Sequence, residues 1–224
     1  MDPSHEIERI RIRNSLIIGL LIVGLIWLVK LAEWTFSLDL YYLGVYPLKW
    51  EGLIGIFTAP LIHADAGHAA ANSIPLFVST AVIFYFYREL AWQVYLLIWV
   101  ITGIWVWSFA RESWHIGASG VLYGYISFLF FSGIFRRHVR LMAISLLMVF
   151  LYGGLFWGIF PDFFPHMNIS WESHLMGGIA GLVIAFFFRK AGMQREEHKW
   201  EEEDDDDDDG IPWRSGESSD EEQM

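Results

Sequence analysis

Five residues of this sequence have side chains that can do chemistry and stand where such side chains are costly: His63, His68, Asn72, Ser119 and His174. Each lies in or beside a long apolar run, where polar groups are expensive to bury and usually mark function. Ser119 sits in the tetrapeptide Gly117-Ala118-Ser119-Gly120. The glycines permit a tight turn and leave the hydroxyl uncovered at a helix start, where free N–H groups can hold an oxyanion. A hydroxyl is a weak nucleophile and needs an adjacent base, for which the imidazole of His174 is a candidate. His68 and Asn72 stand at i and i+4 on one helix face, as two donors for a developing oxyanion.

Structural readings of the same residues compete with this chemistry. Small residues in a membrane helix let helices pack closely whether or not a serine reacts. His174 can be a hydrogen-bonding partner between helices, and His68 and Asn72 can tie a loop to the bundle. His63 reads as structural. His63, His68 and His174 could also ligate a metal, but there is no His-Glu-x-x-His motif and no acid within the spans to complete a site.

The elements that must position these residues are membrane helices. The chain has 224 residues, is 54% hydrophobic and 17% aromatic, and has no cysteine, which excludes disulfides and thiolate chemistry. Its apolar residues gather in runs near membrane length, at 16–31, 66–87 (with Pro75 inside), 90–109, 119–135, 141–160 and 171–188. Arg9, Arg11 and Arg13 before the first run also fit a signal peptide. No small-x-small cleavage site follows that run and more spans come after it, so a retained first helix is expected. Residues 33–62 are too aromatic for a water-exposed loop and too interrupted by Glu33, Asp39, Lys49 and Glu51 for a span. A loop embedded in the membrane interface is expected there. A Pro-Asp-Phe-Phe-Pro turn follows the fifth run.

The formal net charge of −11 belongs to the C-terminal tail. From Glu196 onward there are 15 acids against Lys199 and Arg214, so the first 195 residues hold 11 acids and 13 bases, a net of +2. Such a tail cannot bury a core, and residues 191–224 read as a disordered acidic segment, whether merely solvated or used for docking. Residues 1–15 are the polar N-terminus and 16–190 the membrane domain. Six spans place both termini on one side. With that side cytoplasmic, Arg88, Arg136, Arg137, Arg140, Arg189 and Lys190 join the N-terminal arginines inside, and only Lys30, Lys49 and Arg111 fall outside. The expected protein is thus a multi-pass plasma-membrane (inner-membrane) protein with cytoplasmic termini.

Spans two, four and six all run inward to a basic boundary, so the depths of the polar residues can be compared. At ~1.5 Å per residue, Asn72 lies about 24 Å from Arg88, Ser119 about 25 Å from Arg136, and His174 about 22 Å from Arg189. In a hydrocarbon core of about 30 Å, the three are level and close to the outer face. A six-helix transporter would spread its polar residues along a path through the membrane instead. The small faces formed by Gly117, Gly120 and Gly124 on span four and by Gly177, Gly178 and Gly181 on span six allow close approach of the two helices.

His63-(x4)-His68-(x3)-Asn72, Gly117-Ala118-Ser119-Gly120 and His174-x-x-Gly177-x-x-x-Gly181 together resemble the signatures of the rhomboid intramembrane serine proteases, in order and on the matching spans. The resemblance covers roughly residues 14–190. It implies an all-α membrane protein with a six-transmembrane-helix, rhomboid-like bundle and an interface-embedded first loop. It also implies a Ser–His dyad with Ser119 as nucleophile and His174 as base. The oxyanion hole would be formed by His68, Asn72 and the Ser119 N–H, and Tyr123 would be the tyrosine on which the dyad histidine stacks. Gly117, Gly120, Gly177, Gly181 and His63 would support the site. The implied substrates are transmembrane segments of other membrane proteins, cut near the outer face. No cofactor, metal or nucleic-acid partner is implied. An inactive relative that binds membrane clients would lack the serine or the histidine, and both are present. The sequence departs from the family pattern once. Many relatives carry Trp-Arg eight to nine residues before the first motif histidine, where this chain has Ile54 and Gly55, with Lys49-Trp50 close but out of register. Leu155, Phe156 and Trp157 on the fifth span are candidates for the lateral substrate gate.

Overall fold

The computed structural model describes residues 3–151 and 170–191. The described residues fold into α-helices joined by turns, in the order α1 (Pro3–Phe36), α2 (Gly55–Thr58), α3 (Ala66–Phe86), α4 (Ala91–Phe109), α5 (Ser119–Phe135), α6 (Val139–Leu151) and α7 (Trp171–Phe187). Short 3-10 turns at Tyr41–Leu43, Trp50–Gly52 and Ala59–Leu61 shape the first loop. α1, α3 and α4 have 34, 21 and 19 residues and are apolar enough to cross a membrane. At ~1.5 Å per residue even the shortest of them reaches about 28 Å, close to the thickness of the hydrocarbon core. α5 and α7 are also apolar but have 17 residues each, and α6 runs to the edge of the described residues. The end of the expected fifth span, the Pro-Asp-Phe-Phe-Pro turn, the gate candidates Leu155, Phe156 and Trp157, and the tail beyond Ala191 lie outside the described residues.

The first helix begins at Pro3, ahead of the apolar run at 16–31, so most of the polar N-terminus is helical. Proline is tolerated at a first helical position, and Glu, Arg and Ile extend a helix already nucleated by an apolar run at little cost per residue. Glu8 on this extension accepts a hydrogen bond from the Tyr85 hydroxyl at the C-terminal end of α3.

The centre of the bundle is α5. Its residues Leu122, Tyr125, Phe128 and Leu129 are fully buried, and Tyr125 stacks on Tyr95 of α4 with ring centroids 4.3 Å apart. The outward faces carry exposed apolar side chains, among them Leu20, Leu21 and Leu28 of α1 and Phe186 and Phe187 of α7. So much exposed apolar surface suits contact with lipid rather than with water. The tightest packing lies between α5 and α7. A Cβ at Gly177 would collide with the Gly120 carbonyl oxygen, and one at Gly181 with that of Gly124. Ser127 also donates to the Gly178 carbonyl at 2.6 Å. This backbone-on-backbone seam holds the head of α7 against the head of α5.

Candidate active site

The Ser119 Oγ lies 2.8 Å from His174 Nε2, within hydrogen-bonding distance. Two local devices place the serine. Gly117 adopts φ +105, a left-handed conformation that favours glycine, so the chain turns sharply into α5. Ala118 then caps α5 without a side-chain bond, and the first-turn N–H groups lack intrahelical partners. The histidine is placed by α7, which is capped by Ser170, whose hydroxyl accepts from the Ser173 N–H. Tyr123, one turn after Ser119, stacks on the His174 ring at 4.3 Å and an interplanar angle of 10°, which limits the ring's tilt. His174 is buried and Ser119 half-buried.

The other expected site residues gather at the same end of the bundle. Asp65 caps α3 by accepting from the His68 N–H at 2.8 Å, and that bond holds the Asp65 carboxyl below its ordinary pKa. The His68 ring lies against Gly117, where a Cβ would sit 2.8 Å from its Cε1. One turn deeper, buried Asn72 donates its side-chain amide to the His68 carbonyl at 3.1 Å. His63 packs edge-on against His68, with centroids 4.9 Å apart, and its Nε2 accepts from the Ala118 N–H at 3.3 Å. Burial, reinforced by neighbouring His68, lowers its pKa from 6.5 to about 4, so His63 stays neutral and can keep accepting that bond. Gly120 and Gly177 face each other across the seam, with Gly181 one turn further on. Among the described residues no cluster of His, Asp or Glu could hold a metal ion.

A family model for the rhomboid domain matches residues 50–191, well over half of the chain. The chain belongs to the rhomboid family. Members of this family are generally intramembrane serine proteases, and the apolar helices accord with an integral membrane protein. The chain is also similar to curated mycobacterial proteins. It is 35% identical to Uncharacterized protein Rv1337 of Mycobacterium tuberculosis over 171 residues, which are 73% of this chain and 71% of the relative. It is 33% identical to Uncharacterized protein ML1171 of Mycobacterium leprae over 171 residues, which are 73% of this chain and 67% of that relative.

Where many rhomboid relatives carry Trp-Arg, this chain holds its first loop by other means. Trp99 and Trp107 of α4 donate their indole N–H groups to the Ile56 and Lys49 carbonyls, both at 3.0 Å. The Gly117 N–H donates to the Ala59 carbonyl at 2.9 Å. From α1, buried Lys30 donates to the His63 carbonyl at 2.7 Å and to that of Ala64 at 3.3 Å, and it pairs with Glu33 at 2.8 Å. Sequence reasoning assigned Lys30 no role, although a cation beside an apolar run was the signal that could have found it. It also missed His115, which is buried and pairs with Val45 of the first loop through N–H to carbonyl bonds of 2.8 and 2.9 Å. Burial lowers the His115 pKa and keeps the ring neutral.

Proposed function

We propose that this rhomboid protein is an intramembrane serine endopeptidase that cleaves transmembrane segments of other membrane proteins near the outer face. The observation that carries this reading is the 2.8 Å hydrogen bond between Ser119 and His174, with Tyr123 stacked on the imidazole. In the proposed reaction His174 Nε2 takes the Ser119 hydroxyl proton as Oγ attacks the scissile carbonyl carbon. The negative charge that forms on the carbonyl oxygen is held by the Ser119 N–H and by donors on His68 and Asn72. Collapse breaks the C–N bond, and the proton held by His174 goes to the leaving amine. Water then attacks the acyl–Ser119 ester with His174 again as base, which releases the acid and restores the serine. The chemistry uses no cofactor and no metal.

The reading carries a six-span bundle with both termini in the cytoplasm and the first loop in the outer interface of the plasma membrane, supported by the Lys/Arg asymmetry of the sequence. It is tested with a fluorophosphonate probe and a transmembrane test substrate. The unmodified protein should be labelled and active. Ser119→Ala should lose both labelling and cleavage, and His174→Ala should lose cleavage. The double variant should be no worse than either single one, because the two residues act as one unit. Near-normal turnover by either single variant would overturn the dyad.

A further inference from the structure

Four residues before the Ser119–His174 contact on each segment, the same two segments make a second histidine–serine contact with the roles exchanged. His115 stands four residues before Ser119, and Ser170 stands four residues before His174. His115 Nδ1 lies 2.5 Å from Ser170 Oγ. Its other ring nitrogen, Nε2, lies 3.0 Å from the Arg111 carbonyl oxygen, which can only accept. Nε2 therefore carries the proton, and in the neutral ring Nδ1 accepts from the Ser170 hydroxyl. Ser170 Oγ in turn meets Ser173 Oγ at 2.6 Å and the Ser173 N–H at 3.4 Å. Ser173 is the residue before His174, and its carbonyl packs where a Cβ on Gly120 would come within 3.1 Å. A continuous chain of bonds thus runs from the loop that delivers the serine to the residue beside the histidine.

Resting on the protease reading above, we infer that His115 is a positioning residue: through Ser170 it latches the head of α7 to the head of α5 and sets the separation of Ser119 and His174. The glycine seam fixes how close the two helices lie, but parallel surfaces can still slide along each other. A short bond across their outer ends opposes that sliding. His115 suits the task because it is held on three sides: by Val45 through its backbone, by the Arg111 carbonyl through Nε2, and by Ser170 through Nδ1. Ser170 is also the cap of α7, so a force applied there acts on the helix end rather than on a loose side chain.

Two isosteric substitutions separate the latch from mere packing. The side-chain oxygen of His115→Asn falls near the place of Nδ1 and can accept from Ser170, but nothing replaces Nε2. The amide N–H of His115→Gln falls near the place of Nε2 and keeps the Arg111 bond, while the latch is lost. In the full-length protein in detergent or lipid, kcat, KM, Tm and the rate of fluorophosphonate labelling are compared. His115→Gln and Ser170→Ala should lower kcat roughly 10- to 10²-fold, the scale of a misplaced catalytic group, and slow labelling, with KM unchanged. His115→Asn and Ser170→Thr should stay near the unmodified rate. If His115→Asn is as impaired as His115→Gln, or if all four variants keep normal kcat, the latch is refuted while Ser119-dependent cleavage leaves the protease reading intact. Absence of Ser119-dependent cleavage in the unmodified protein refutes the protease reading itself. Should His115→Gln fail to fold, Ser170→Ala against Ser170→Thr decides the matter by the same readouts.

Discussion

The seam between α5 and α7 makes a sharp prediction from two adjacent glycines. A methyl group on Gly177 would be driven into the Gly120 carbonyl oxygen, while one on Gly178 meets nothing within 4 Å among the described residues. Non-bonded heavy atoms relax only near roughly 3.5 Å, so α7 must withdraw by about 1 Å or more to admit Gly177→Ala. Gly177 lies one turn below His174, so a shift of this size moves the imidazole with it. The present 2.8 Å contact with Ser119 would then pass the limit of a hydrogen bond. Overpacking of this kind costs about 1–3 kcal/mol of stability, and a displacement of about 1 Å at reacting groups costs roughly 10²-fold in rate. Gly178→Ala should leave kcat unchanged and, by helix propensity, add up to about 1 kcal/mol. The measurement is Tm and kcat on both variants in one detergent. Equal values for the two would refute the view that backbone contact along the seam sets the site.

Three further outcomes can be measured. His63 binds its proton at about pH 4 when folded and near 6.5 when unfolded, so its contribution of about 3 kcal/mol is complete above pH 6.5 and is lost as pH falls toward 4. His63→Gln, whose amide oxygen can still accept from Ala118, should flatten the stability profile in that window, and parallel profiles would refute the assignment. Lys30→Met strands half-buried Glu33 and the His63 carbonyl and should cost about 3 kcal/mol, most of it recovered in Lys30→Met/Glu33→Leu, and melting temperatures check both. His68→Ala and Asn72→Ala should each lower kcat roughly 10²–10³-fold with near-normal Tm and KM, whereas lowered stability with unchanged kcat would make them structural.

Much of this arrangement was legible in the sequence because a membrane reduces the possibilities. Apolar runs bounded by charges located α3, α4, α5 and α7 to within a residue or two of their ends. Once Ser119 and His174 were level, glycine-faced helices left them little room to miss each other. What stayed hidden depends on contacts between segments far apart in the chain. Nothing near Lys30 announces that it will hold the carbonyls of His63 and Ala64, and nothing near His115 announces Ser170. The start of α1 at Pro3 was not legible for a different reason. Hydropathy reports where a helix meets lipid, whereas hydrogen bonding continues into water for as long as good helix formers last. Asp65 and Ser170 were local cues left unread, since an aspartate or serine just ahead of a helical run is an N-cap signal.

The closeness of α5 and α7 rests on main chain meeting main chain at Gly120, Gly177, Gly124 and Gly181. Contacts of that kind have no rotamers to adjust, so they do not yield gradually to their surroundings. A thicker bilayer, a change of lipid headgroup or a change of lateral pressure can tilt α1 without changing how closely α5 and α7 approach. On the protease activity proposed above, lipid dependence of turnover should therefore appear in how readily a transmembrane segment is admitted, and the pH profile of the chemical step should remain the same from one membrane to another.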